Sequence, residues 1–376
     1  MSITHQLRRV LLVAASALLL WAVSFAGLAG AEHDGVHLTP NGYRVPVYGM
    51  SFTRNAEGEL GTTCARLSAP EIERARLTML VSRALMVSYP RSTVQATAGL
   101  TFTVIYTDAE GKGFNDSAAG AERKRALEAS IAAWSRVIQG TVPIVVQAAM
   151  EAPEDPASTL LASAGPVDFF AIDGRAVPSA LAAQIRKGSL NNGGPDIQVN
   201  VNERVEWDYS VNGVAAAGKA SFVYTMIHEI GHGLGFLDSF DAKTGELLNP
   251  IPFPFDVFVN RGSAGPDVVT AHGAEQRLSD LTSNDLFFNG PKAIDASARS
   301  IRPLPMVKLY APNPYEQGSS VAHVDQDTYA DFKTGLMTPK DFGSGTDKID
   351  ILTLGIMADM GYELIAGAVT ARTPRP

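Results

Sequence analysis

The pentapeptide His228-Glu229-Ile230-Gly231-His232 constrains this chain more than any other feature. Two histidines four apart lie one turn apart on the same face of a helix. Both imidazoles can then reach one point, which is how a helix offers two ligands to one metal ion. Glu229, beside the first of them, is placed to act as a base on water at that metal. The surrounding run, Ala220 to Leu234, is apolar and reads as a helix that ends near Gly235. Glycine is a natural stop there, because it takes a left-handed backbone at little cost. The chain can then turn sharply back toward the metal. The fold must therefore bury a helix that carries polar, metal-seeking groups, and it must do so with one cysteine, Cys64. A lone thiol closes no internal disulfide and supplies no thiolate-rich zinc or iron–sulfur site.

The chain has 376 residues, a length that suggests about two domains. Hydrophobic residues make up 45% and charged residues 19%, which excludes a disordered or low-complexity protein. The formal charge of −8, with no Lys/Arg run, argues against nucleic acid as a partner. Residues 1–31 read as a signal peptide, with an uncleaved membrane anchor as the alternative, because the apolar stretch nears the length of a spanning helix. Arg8 and Arg9 precede an apolar run from Val10 to about Phe25, and Ala29-Gly30-Ala31 is an A-x-A type cleavage site. The expected location is secreted or periplasmic, with no stable membrane insertion after cleavage. Residues 32–95 read as a separate N-terminal segment, either a prosegment or an extension packed on the main domain. Within it Glu71 to Met86 has helical spacing, and Pro90 follows.

From Leu100 the pattern changes. Leu100 to Tyr106, Val142 to Val146, Asp168 to Ile172 and Asp196 to Val201 read as strands. Ala119 to Ile138 reads as an amphipathic helix with Leu127, Ile131, Trp134 and Ile138 on one face. Residues 178–187 suggest a short helix begun by Pro178, and Ile349 to Met360 a last one. Strands interleaved with helices predict an α+β domain over 96–366, followed by a tail at 367–376. Residues 240–320 are rich in Pro, Gly, Asp and Asn without a strong period, and read as an inserted region with structure of its own.

The run His228-Glu229-Ile230-Gly231-His232-Gly233-Leu234-Gly235-Phe236-Leu237-Asp238 resembles the metzincin metallopeptidases, whose pattern is H-E-x-x-H-x-x-G-x-x-H or D. Gly335-Leu336-Met337-Thr338-Pro339 looks like their methionine turn, with Met337 as the methionine. Two residues compete as third ligand. Asp238 holds the usual third position. His323, 323 − 235 = 88 residues past Gly235 and shortly before Met337, is similar to the late histidine of the leishmanolysin branch, whose motif reads H-E-x-x-H-x-L-G-F. The preferred set is His228, His232 and His323, with Asp238 as the alternative.

The resemblance implies a metzincin-like catalytic domain: a mixed sheet, a zinc-binding active-site helix and a C-terminal helix. It also implies a Zn²⁺ cofactor, Glu229 as general base, and a protein or peptide substrate bound along an edge strand, for which Asp196 to Val201 is the candidate. The expected function is a secreted zinc-dependent endopeptidase. The alternative is an exported zinc-binding protein that keeps the fold without cutting; a zinc hydrolase of a non-peptide bond is a third option. The chain departs from the family in lacking disulfides and in carrying Thr338 where a Tyr often follows the methionine. Cys64 could cap the zinc from a prosegment, as in some family members, but no motif surrounds it, and a free buried cysteine is the reading adopted.

Overall fold

The computed structural model describes residues 36–54, 60–67, 71, 89–153, 155–300, 302–329, 335–341 and 345–368. Residues 1–31, all but Glu71 of the helix expected at Glu71 to Met86, and most of the tail lie outside these. Among the described residues, no helix is long and apolar enough to cross a membrane.

Alternation of β-branched and apolar residues builds an eight-stranded mixed sheet. In chain order the strands are β1 (Tyr48–Arg54), β2 (Leu60–Arg66), β3 (Arg91–Val94), β4 (Phe102–Tyr106), β5 (Ile144–Glu151), β6 (Leu160–Pro166), β7 (Ile197–Asn202) and β8 (Lys340–Asp341). Their order across the sheet is β8-β2-β1-β6-β7-β5-β4-β3. The central strands β7, β5 and β4 are parallel, and every other pairing is antiparallel. Residues two apart on a strand share a face. Thus Phe102, Val104 and Tyr106, then Ile144, Val146, Ala148 and Met150, then Ile197, Val199 and Val201 present one apolar face to the main core.

Two long helices belong to that core: α1 (Gly120–Ser135) and α3 (Phe222–Gly233); the shorter α2 (Ser179–Arg186) follows residues 175–178. Leu127, Ile131 and Trp134 of α1 are fully buried, as the spacing predicts. Trp134 pins the two long helices together, its indole Nε1–H donating to the Ile227 carbonyl at 2.9 Å. Ser221 caps α3 by accepting from the Tyr224 N–H.

Residues 240–320 do carry structure of their own. They hold a three-stranded antiparallel sheet (Val259–Arg261, Leu286–Phe288, Val307–Leu309) and α4 (Pro291–Arg299). The C-terminal helix α5 (Ile351–Met360) packs against α4 at Gly355, where a Cβ would come 2.8 Å from the Ala293 Cα. That atom is backbone and cannot swing away. Gly355→Val is expected to cost about 1–3 kcal/mol through overpacking, read as a lowered thermal midpoint.

One sequence expectation is corrected. Asp196 to Val201 is not an edge strand: β7 lies between β6 and β5, bonded on both sides. The described part of the N-terminal segment is packed on the main domain, one of the two arrangements expected for it. Its β1 and β2 form a hairpin at one side of the sheet, and β3 closes the other.

Candidate metal centre

α3 brings His228 and His232 one turn apart, and their Nε2 atoms lie 3.0 Å from each other. His323 comes from the loop after the inserted sheet. Its backbone is held there by Tyr310, whose N–H donates to the His323 carbonyl at 2.9 Å. The His323 Nε2 lies 3.4 Å from that of His228. A fourth group completes the cluster: Cys64 of β2, with Sγ 3.1 Å from the His228 Nε2. All four ligand atoms fall within 4.8 Å of one another, and all four residues are buried.

Each imidazole is oriented through its other nitrogen. The Nδ1–H groups donate to backbone carbonyls: His228 to Leu336 at 2.8 Å, His232 to Phe236 at 2.7 Å, and His323 to Ser319 at 2.9 Å. Such outer partners fix the tautomer and aim the remaining nitrogen at a common point. The role of Gly235 follows. Its φ of +108° turns the chain so that the Phe236 carbonyl comes back beneath His232. A Cβ there would also meet Pro178 at 2.7 Å. The Leu336 carbonyl is held in turn by Asp350, which accepts from the Leu336 N–H and caps α5. Met337 is fully buried, and its sulfur would lie 3.0 Å from a Cβ on Gly231, so it packs under the helix between the two histidines.

The donor set fits a metal ion. Three imidazole lone pairs and a thiol converge with no hydrogen available between the nitrogens, an arrangement that is repulsive unless a cation sits among them. Burial holds the His228 pKa down at about 3 and that of His232 at about 4, and pushes His323 well below its usual range. Protons therefore do not take the cation's place near neutral pH. Burial, and then the charge of Glu229, push the Cys64 thiol well up; a bound metal would deprotonate it outright. A tetrahedral zinc site needs nitrogens about 3.3 Å apart and a sulfur about 3.6 Å from each nitrogen. The His228 Nε2 lies 3.0 and 3.4 Å from its two imidazole neighbours, on either side of the first value, while the Cys64 sulfur at 3.1 Å stands closer to it than the second.

Glu229 of α3 is buried, and its carboxylate is bonded to the sheet. Its Oε1 accepts from the Met50 N–H of β1 and its Oε2 from the Ala164 N–H of β6, both at 2.9 Å. Burial raises its pKa to about 8, against the opposing pull of those two N–H groups.

Of the residues singled out from sequence, the structure brings together His228, His232 and His323. Asp238 is not in this group. It is buried, and its Oδ1 accepts from the Phe240 N–H at 2.9 Å, so it caps the turn that leaves the helix. Cys64 is a free, buried cysteine as expected, and its sulfur also stands among the candidate ligands, a placement the sequence does not favour. No sequence pattern around it signals this, because β2 is set beside the helix by a pairing across more than a hundred residues. The strand beside the site was also missed: β6, not β7, carries the N–H that meets Glu229.

The chain matches no protein-family model, no curated protein and no solved structure.

Proposed function

We propose that this chain is a zinc-dependent endopeptidase whose metal site is closed in this structure. The observation that carries the reading is the pairing of three inward-aimed imidazoles with a buried glutamate next to the first of them in sequence. Glu229 joins β1 to β6 in the closed site, and once released from one of those bonds it would stand beside the ligands as a base.

His228, His232 and His323 would hold the ion, with Cys64 in the fourth place. When bound, zinc supplies Lewis acidity toward a peptide carbonyl and lowers the pKa of water beside it. A catalytic site of this kind keeps one position open, whereas a structural site fills all four. Cys64 must therefore leave before substrate can enter. Glu229 must also be released from at least one of its two N–H partners to accept a proton from the attacking water and return one to the leaving amine. In the closed site burial holds its pKa up at about 8. Met337 and the Leu336 carbonyl act as a floor that keeps His228 aimed. Export and a protein or peptide substrate belong to the same proposal.

Glu229→Ala tests it. In a form of the chain whose site has been opened, zinc content is expected to stay unchanged while hydrolysis of casein is abolished. Hydrolysis that survives this substitution would overturn the mechanism.

The filled, buried Cys–His₃ set also favours a second reading, a non-cutting metal-binding protein. It expects metal and no hydrolysis from every variant, opened or not.

A further inference from the structure

Left-handed backbone marks one place beside the metal centre. Among the described residues other than glycine, Ala98, Asp173, Lys187, Asn192, Asn284 and Val321 have a positive φ. The first five are exposed. Val321 is fully buried, with φ at +70°. A β-branched residue is an outlier in this conformation, because its Cβ substituents crowd the backbone. Such strain persists only where the surroundings over-determine it, and it gathers at functional sites. Val321 lies two residues before His323.

The Ser319 and Ser320 N–H groups both donate to the Glu316 carbonyl, at 3.1 and 2.9 Å, and close a turn. Past it, the Ala322 N–H donates to the Ser320 carbonyl at 3.0 Å, across Val321. A three-residue turn with a positive central φ is the rare, strained form of the γ-turn. Beyond it the chain runs antiparallel to residues 308–310: the Tyr310 N–H donates to the His323 carbonyl at 2.9 Å, and the Asp325 N–H to the Lys308 carbonyl at 3.0 Å. The Val321 N–H donates to the Tyr310 carbonyl at 2.7 Å. The reversal at Val321 thus brings the Ser319 carbonyl, on one side of the turn, to the His323 Nδ1 on the other, at 2.9 Å. That bond aims the His323 Nε2 at the other two imidazoles. An extended backbone at 321 would carry residues 319 and 323 apart and break it. At His232 the same task falls to Gly235, where a positive φ costs little. Valine does it under strain, and its side chain supplies what glycine lacks. It lies in the main core, in the cluster that also holds Val324, Leu336 and Met337.

Building on the ligand set of the reading above, we infer that Val321 is the positioning residue of His323. It is a strained joint whose left-handed backbone turns the third imidazole onto the metal and whose buried side chain locks the joint. Proline at 321 would hold φ near −65° and could not take the turn; it would also lack the N–H that Tyr310 accepts. Glycine would take the turn and give up the lock. Alanine would give up the lock and keep part of the strain. Where φ is negative, glycine is less stable than alanine through its greater freedom in the unfolded chain and the missing methyl; a positive φ offsets that deficit.

The experiment uses the full chain as wild type, Val321→Gly, Val321→Ala, Val321→Pro, His323→Ala and the double variant Val321→Pro with His323→Ala. Zinc affinity is measured by competition with a chelator, ligation by the visible absorption of Co²⁺ bound in place of zinc, and stability by the thermal midpoint. Val321→Pro is expected to lose about a hundredfold or more in zinc affinity and to give the cobalt spectrum of His323→Ala. Adding it to His323→Ala should weaken zinc by no more than about threefold further, because the joint acts through that imidazole alone. Val321→Gly is expected to keep the wild-type cobalt spectrum, to bind zinc within about tenfold of wild type, and to melt no lower than Val321→Ala. The comparison of glycine with alanine carries the test should proline prevent folding. Alanine melting clearly above glycine would overturn the joint, since the backbone at 321 would then not be left-handed. So would a wild-type cobalt spectrum from folded Val321→Pro, or a double variant far weaker in zinc than His323→Ala, as a merely structural residue would give. Wild-type zinc affinity and cobalt spectrum from His323→Ala would instead overturn the ligand set itself.

Discussion

His323→Ala is expected to strip the metal from an otherwise folded chain, and Asp238→Ala to leave it bound. The sequence offers both residues as third ligand, and the geometry separates them. The His323 Nε2 stands 3.4 Å from that of His228, and its Nδ1 is tied to the Ser319 carbonyl, so its free lone pair has one direction to face. Loss of an outer partner typically weakens metal binding by about 10–100-fold, and loss of a direct ligand should exceed that. Asp238 instead accepts the Phe240 N–H in a buried turn. Its removal leaves that donor without this acceptor and should cost stability, about 1–3 kcal/mol, with little effect on metal. Metal content after dialysis, measured by mass spectrometry beside the thermal midpoint, checks both halves. Metal retained by His323→Ala and lost from Asp238→Ala would reverse the assignment. It would also leave the inserted sheet without its evident purpose, which is to deliver His323.

Much of the site is legible because it is local. Two histidines on one helix face, the glycine at the helix end and the run around Met337 are all patterns of a few residues, and the structure places Met337 under the helix between the two histidines. The long insertion ahead of His323 is legible as well. What the sequence hides is lateral. β6 reads Leu-Leu-Ala-Ser-Ala-Gly-Pro, with none of the branched residues that mark β4 and β5. Ala162 and Ala164 are small and buried in the core they share with α3, and close packing on a helix favours small residues over strong strand formers. The same blandness hides Cys64 within Thr-Thr-Cys-Ala-Arg. Its place is set by strand order, and no local pattern specifies which strand lies beside which. The misreading of β7 as an edge has that cause too: its alternation predicts a strand and says nothing of its neighbours.

Removing the metal is expected to lower the thermal midpoint of the wild-type chain by on the order of 5 °C. The cluster joins three parts distant in sequence: β2 through Cys64, α3 through His228 and His232, and the loop after the inserted sheet through His323. A ligand present at a thousand times its dissociation constant contributes about 4 kcal/mol to stability. For a chain of this size each kcal/mol moves the midpoint by roughly 1–1.5 °C. The loss is not compensated by protonation. With His228 held at about 3 and His232 at about 4, the emptied site stays uncharged near neutral pH and keeps its converging lone pairs. Thermal unfolding with and without a chelator reads the effect. His323→Ala should show almost no response to chelator, having little metal to lose. Cys64→Ser should keep most of the response, because three imidazoles remain and the hairpin is still bonded at both margins. A wild-type shift within about 2 °C, with metal removal verified, would mean that the cluster does not hold the fold together through a cation. The four groups would then converge for a reason other than metal binding.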